Sequence, residues 1–308
     1  MDYPFCLNMD RIYSEISELF HGVKIREYLK DELNLSTRFI KRAALDQMVR
    51  VNDRVVKLDY ILREGDCITI PLKREETQDI PAEDIPLDII YEDEAILVIN
   101  KDPHMVVHPT KSHASRTLAN AAIHHYRAKG ETTIIRLVSR LDMDTSGLIM
   151  LAKNQFVHSK LSAMMQEDEV DKSYIAIVKG DFPEDLTCID LPIYKDGPGA
   201  YYRTVDERGQ RSLTEVRILE KAGGYSLLKL RLLTGRTHQI RVHLSHYGYP
   251  VIGDSLYGGD MDLIARQALH AYELSLPHPV TGKRMDFRAE LKEDMRLVLE
   301  RIGFTSRL

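Results

Sequence analysis

The stretch Arg136–Asn154, RLVSRLDMDTSGLIMLAKN, decides how this chain reads. Arg140, Asp142 and Asp144 sit between a short apolar run and a second run that is almost purely apolar. A solvated loop can be that polar. An Arg-Leu-Asp triplet and a Thr-Ser-Gly turn packed between two core segments instead describe polar groups held on a rigid base. An Asp that follows a strand and precedes such a turn can present its carboxylate outside the sheet, where a nearby guanidinium orients it. That is the geometry of a positioned nucleophile. Asp also caps turns through backbone amides, so the motif alone leaves both roles open.

Outward from this stretch the pattern is rich in strands. EAILVINK, MVVHPT, TTIIRLV, GLIMLAK, SYIAIVKG, YSLLKLRLL, ALHAYELSL and MDFRAEL all read as strands, and Gly223-Gly224 as a turn. Helices are expected at TLANAAIHHYRAK, QFVHSKLSAMMQED, RTHQIRVHLSHYG and LKEDMRLVLERIG. Strict β-α alternation is missing, so the fold class is α+β: a large, mainly antiparallel mixed sheet flanked by helices.

A smaller helix-helix-β unit precedes it over residues 20–72, behind an N-terminal extension at 1–19. VKIREYLKDELNL places Ile25, Leu29 and Leu33 at four-residue spacing, and Ser36 is an N-cap for TRFIKRAALDQM. VRVNDRVVKL turns at Asn52-Asp53 as a hairpin, and REGDCITI adds a strand. The charged, proline-bearing segment 73–87 reads as a linker and 88–308 as the main domain.

Composition restricts the partners. The 308 residues, 44% hydrophobic, can bury a sizeable core, and a net charge of -5 does not favour a polyanion over the whole surface. Charge is partitioned, however. Between Lys24 and Arg63 ten Lys and Arg face six Asp and Glu, and Arg38, Lys41 and Arg42 share one helix face. A solvated helix face and a phosphate-contacting patch both fit that run. Cys6, Cys67 and Cys188 have no paired spacing, and no apolar run approaches a membrane span, so a monomeric protein of the reducing cytoplasm is expected.

Two further constellations carry chemistry. TGRTHQIRVHLSHYG, followed by YPVIGDSLYGG, crowds Arg236, Arg241, His238, His243 and His246 onto a helix that starts after a Gly, a setting that favours an anion. His238 and His243 are five apart without the Glu of a zincin helix, so no metal is expected there. In DKSYIAIVKG, Tyr174 has the position of a core tyrosine on a half-buried strand. No Walker-type loop, dinucleotide fingerprint or Gly-x-Ser-x-Gly elbow occurs.

Together these segments resemble the RluA family of RNA pseudouridine synthases. RLDMDTSGLIMLAKN, KSYIAIVKG, TGRTHQIRVHLSHYGYPVIGDSLYG and RQALHAYELSLPHPVTG occur in the family's order across most of residues 88 to 290. The 20–72 unit resembles the αL RNA-binding module also found in a small-subunit ribosomal protein and in tyrosyl-tRNA synthetases. The resemblance implies a cofactor-free isomerase that converts uridine in RNA to pseudouridine. It makes Asp142 the catalytic aspartate, Tyr174 the tyrosine against the target base, and Arg241 the arginine paired with Asp142. Arg140, Leu141, Thr145, Arg236, His238 and Gln239 are then substrate-binding, and Arg38, Lys41 and Arg42 contact RNA. The chain departs from the family at Ser139, where His is usual, and at KDPHM (Lys101–Met105), where a Lys-Pro-x-Gly turn is usual. Structured ribosomal RNA is the expected substrate, with transfer RNA the alternative. A non-catalytic RNA-binding protein, and a glycosidase using Asp144 as second carboxylate, are the rivals from other classes.

Overall fold

A computed structural model of the protein describes residues 5–8, 11–33, 35–71, 79–197, 199–306 and 308. In the N-terminal unit, strands β1 (Phe5–Asn8), β2 (Arg11–Glu15), β3 (Arg50–Val51), β4 (Arg54–Val55) and β5 (Cys67–Pro71) form one antiparallel sheet in the order β1-β2-β5-β3-β4. Asn52 and Asp53 turn the β3-β4 hairpin with φ of +49° and +64°, the left-handed pair that matches strand twist. Helix α1 (Ile25–Glu27) runs on as a π-helical turn over Tyr28–Glu32, with Ile25 and Leu29 buried. Ser36 Oγ accepts from Phe39 N at 3.2 Å and caps α2 (Thr37–Leu45).

Among the described residues of the expected extension before residue 20, β1 and β2 belong to this sheet. Strand β2 pairs with β5 from Arg11↔Pro71 to Glu15↔Cys67, and its inward residues Ile12 and Ser14 are buried. The boundary drawn at residue 19 therefore cuts through one hydrogen-bonded unit.

The second sheet comprises β6 (Ile89–Glu92), β7 (Ile96–Lys101), β8 (Arg136–Leu137), β9 (Ser146–Ala152), β10 (Asp171–Lys179), β11 (Cys188–Asp190), β14 (Leu213–Ala222), β15 (Tyr225–Leu232), β16 (Leu269–Pro277) and β17 (Arg284–Arg288). A small ribbon of β12 (Ile193–Tyr194) and β13 (Thr204–Val205) stands apart. The path is β11-β14-β15-β10-β16-β9-β7-β6, with β17 on β16 and β8 on β9. Every ladder is antiparallel except β9 with β16. The mainly antiparallel α+β class holds.

Burial on both faces explains the unbroken apolar run of β9. Leu148 and Met150 join Ile96 and Val98 under α4 (Gln155–Gln166), while Ile149 and Leu151 join Leu97 and Ile99 under α3 (Leu118–Ala128). The N-terminal unit rests on α4: Phe39 meets Phe156 edge to face at 6.1 Å, and Lys160 Nζ donates to Leu33 O at 3.3 Å. Part of the expected linker is packed as well, since Ile80 is buried and Asn120 Nδ2 donates to Pro81 O at 2.8 Å. Residues 72–78 of that linker lie outside the described residues.

Several expectations fail locally. MVVHPT forms no strand, because Leu118 N and Ala119 N take the carbonyls of Val106 and Val107 and turn that segment into a brace for α3. TTIIRLV yields only the two residues of β8, and β14 was not anticipated. Helix α5 (Gln239–His246) starts four residues after Gly235, capped by His238 with a left-handed φ of +58°. Helix α6 (Glu293–Ile302) forms where expected.

The parallel β9–β16 contact needs a glycine. A Cβ on Gly147, whose φ is +107°, would lie 2.2 Å from Ala271 O. Gly147→Ala should destabilise the protein by about 3 kcal/mol or more, seen as a clear fall in Tm by circular dichroism. A Tm equal to wild type would contradict this close approach.

Candidate active site

The Asp142 turn is pinned at three consecutive carbonyls. Thr145 N donates to Asp142 O at 3.1 Å, Lys101 Nζ to Met143 O at 2.9 Å, and Arg266 Nη1 to Asp144 O at 3.1 Å. Buried Lys101 also donates to Asp102 O and Met105 O, so one ammonium ties two loops together. Burial lowers its pKa to about 7 against the opposing pull of Asp144. Arg266 in turn is held by both oxygens of Asp294 at the start of α6. Backbone groups that would otherwise be unpaired are thereby satisfied, which leaves the Asp142 side chain as the free element of the turn.

Its carboxylate meets α5. Arg241 Nη1 donates to Asp142 Oδ2 at 2.9 Å, while Nε and Nη2 grip the buried Asp254 at 2.6 and 2.8 Å. Burial opposes the charge on Arg241, but hydrogen bonds and attraction to Asp254 and Asp142 raise its pKa above the usual value. The guanidinium also lies 5.0 Å from the centre of the Tyr257 ring. His238 Nε2 is 3.8 Å from Asp142 Oδ2, and its Nδ1 is 2.8 Å from Tyr257 OH. Because Tyr257 OH accepts from Arg203 N, its own proton is free for Nδ1, and the tautomer this favours carries its proton on Nε2, facing Asp142. Burial lowers the His238 pKa, with Asp142 opposing and Arg241 and Arg203 reinforcing, so the ring is neutral at pH 7.

Strand order supplies the third residue. Tyr174 on β10 lies opposite Ala271 on β16, which lies opposite Gly147 on β9, so the tyrosine stands two strands from the Asp142 turn. Burial, and then the Asp142 charge, push its phenol pKa up. Asp142, Tyr174 and Arg241 line one cavity of about 370 Å³ together with Arg140, Leu141 and Thr145. Arg236, His238 and Gln239 complete its far wall.

Within that wall the residues differ. Arg140 and Arg236 are exposed, whereas Thr145 and Gln239 are 2% exposed and committed to the scaffold. Gln239 Oε1 accepts from Thr234 Oγ1 and Arg236 N, and its Nε2 donates to Leu213 O and Thr214 Oγ1. Among the described residues Asp142 is the sole carboxylate of the cavity lining. Asp144 turns away and pairs with His104 Nδ1 at 2.7 Å. His104 occupies the fourth position of KDPHM with φ of +59°, so the backbone bends there without glycine and the ring gains Asp144 as partner. Buried His243 bonds to Thr214 Oγ1 and Leu191 O as a core histidine. Arg38, Lys41 and Arg42 lie elsewhere, along a groove of α2 that reaches Gln155.

Sequence reasoning missed Asp254, Lys101, Arg266 and Tyr257 as parts of this site. Asp254 had a visible signal, an acid between two apolar residues and a Gly-rich turn in VIGDSLYGG.

Comparison with known proteins agrees with this scaffold. The family profile described as RNA pseudouridylate synthase matches residues 95–246. The chain is 39% identical over 280 residues to an uncharacterized RNA pseudouridine synthase, YjbO, of Bacillus subtilis, covering 90% of this chain and 98% of the relative. It is 38% identical over 268 residues to ribosomal large subunit pseudouridine synthase D of Pseudomonas aeruginosa, covering 82% and 83%. Among solved structures, human RNA Pseudouridylate Synthase Domain Containing 1 superposes with a TM-score of 0.56 at 27% identity, over 68% of this chain and 86% of the other. Fold and relatives together define an isomerase class. The chain belongs to the RNA pseudouridine synthase family.

Proposed function

We propose that the protein isomerises specific uridines of structured RNA to pseudouridine, with Asp142 as the nucleophile and ribosomal RNA favoured over transfer RNA. The observation that carries this reading is a lone carboxylate, Asp142, gripped by Arg241 in a cavity that Tyr174 also lines. The reaction breaks the bond from ribose C1′ to N1, turns the base and closes a bond from C1′ to C5. The C5 proton is lost and N1 gains one. No oxidant, water or external group enters the product, so one nucleophile in a closed pocket suffices. A glycosidase needs a second carboxylate beside the first, and Asp144 is engaged with His104 instead. The flipped base would lie against Tyr174, whose phenol stays protonated at neutral pH and so offers a face rather than a base.

The preference for ribosomal RNA is supported by relatives named as ribosomal large subunit enzymes. In the same reading residues 20–72, with β1 and β2 added to their sheet, form an αL-type RNA-binding module, 88–308 are the catalytic domain, and the protein is a cytoplasmic monomer that needs no cofactor. Among the described residues no helix is long and apolar enough to cross a membrane. The test is tritium release from C5-labelled uridine in ribosomal and transfer RNA with no metal or nucleotide added. Release from neither pool by folded, RNA-binding protein would move the non-catalytic binding role ahead.

The basic face of α2 gives a separate expectation. Neutralising Arg38, Lys41 and Arg42 together should raise KM on long RNA and flatten its salt dependence, with turnover on a short fragment nearly intact. An unaltered salt slope would remove these residues from the RNA contact.

A further inference from the structure

Lys172 lines the same cavity as Asp142 and Tyr174, yet no hydrogen bond or ion pair holds its ammonium among the described residues. The buried cations of this site are committed: Arg241 to Asp142 and Asp254, Lys101 to three carbonyls, Arg266 to Asp294. Lys172 precedes Tyr174 by two residues on β10, and both side chains line the cavity although the ladder with β16 shifts register between Ser173 and Tyr174. With Ser139, Met165 and Tyr174 it lines both this cavity and a small adjoining one. The charge that acts on it is that of Asp168, in the exposed turn that follows α4. Burial lowers its pKa, since desolvation is only weakly offset by Asp168. A half-buried cation without a partner gains from an anion brought by the ligand.

A uridine within RNA carries such an anion on each side. With its base against Tyr174 and its sugar at Asp142, its flanking phosphates come within reach of a cation on the same cavity lining. We infer that Lys172 binds a phosphate flanking the target uridine and so holds the flipped nucleotide in register with Asp142. This rests on RNA uridine being the substrate. A chain phosphate is one of the few parts of the substrate that does not change during the reaction, so its contact contributes to binding in ground and transition states alike.

The experiment compares wild type, Lys172→Met and Lys172→Arg on unmodified ribosomal and transfer RNA transcripts, with tritium release followed across a salt series. Lys172→Met is expected to raise KM about tenfold or more, to lower kcat by no more than about threefold, and to flatten the slope of log(kcat/KM) against log salt by roughly 0.7. Lys172→Arg should restore both KM and slope. A raised KM with the wild-type salt slope would make Lys172 a packing residue and overturn the assignment. A fall in kcat with an altered pH profile and an ordinary KM would overturn it in favour of proton transfer. Absence of release by the wild type would remove the substrate itself, and that outcome is visible before any variant is compared.

Discussion

Asp142→Asn is expected to abolish tritium release from C5-labelled uridine in RNA, by about 10⁴-fold or more in single turnover, without unfolding the protein or ending RNA binding. The amide has the shape of the carboxylate but lacks its nucleophilic charge. The turn that presents it stays, because its bonds use the carbonyls of residues 142, 143 and 144 rather than the side chain. Arg241 also keeps its bidentate partner Asp254. The variant should therefore melt within a few degrees of wild type. The neighbouring carboxylate is an internal control: Asp144 faces His104, so the corresponding Asp144→Asn should lose far less activity. Residual activity of the Asp142 variant within about a hundredfold of wild type would exclude a covalent role for that oxygen, since removal of a nucleophile is among the most costly changes in an active site.

That turn also shows what sequence can and cannot disclose. The apolar run of β9 was legible because a strand covered on both faces leaves no polar gaps, and the Asn52-Asp53 hairpin because its backbone angles restrict the residue types. The nine residues expected at the catalytic site line one cavity, although they come from β10, the Asp142 turn and the start of α5. By contrast β14 carries Glu215, Arg217, Glu220 and Lys221 among its apolar residues, and β2 hides in a polar N-terminal segment; neither has a dominant period. Residues that act through backbone carbonyls were harder still. Lys101 pins loops 42 positions apart in sequence, and nothing local to KDPHM announces Met143 as its partner. Thr145 and Gln239 show a second role that motif position does not announce: both line the cavity, yet they are buried and spend polar atoms on the scaffold.

Arg241→Met should lose activity by about 10³-fold or more while RNA binding persists, and should also destabilise the protein by about 3–5 kcal/mol. Two effects are combined because the guanidinium serves two carboxylates. Toward Asp142 it fixes the direction of the attacking oxygen at 2.9 Å. Toward Asp254 it neutralises a side chain that is 1% exposed, so its removal leaves a buried charge supported, among the described residues, by the amides of Leu256 and Tyr257. A second substitution separates the two: Arg241→Met combined with Asp254→Asn removes the stranded charge and should recover much of the lost Tm. It should recover little activity, because Asp142 still lacks its orienting partner and His238, 3.8 Å away and neutral, is a poor substitute. If the double variant regained turnover along with stability, Arg241 would be a structural anchor for Asp254 and the orientation of Asp142 would have to come from the pinned turn alone. If Arg241→Met instead lost RNA binding at unaltered Tm, the guanidinium would belong to the RNA backbone, and the distance of 2.9 Å to Asp142 would describe the protein only before substrate arrives.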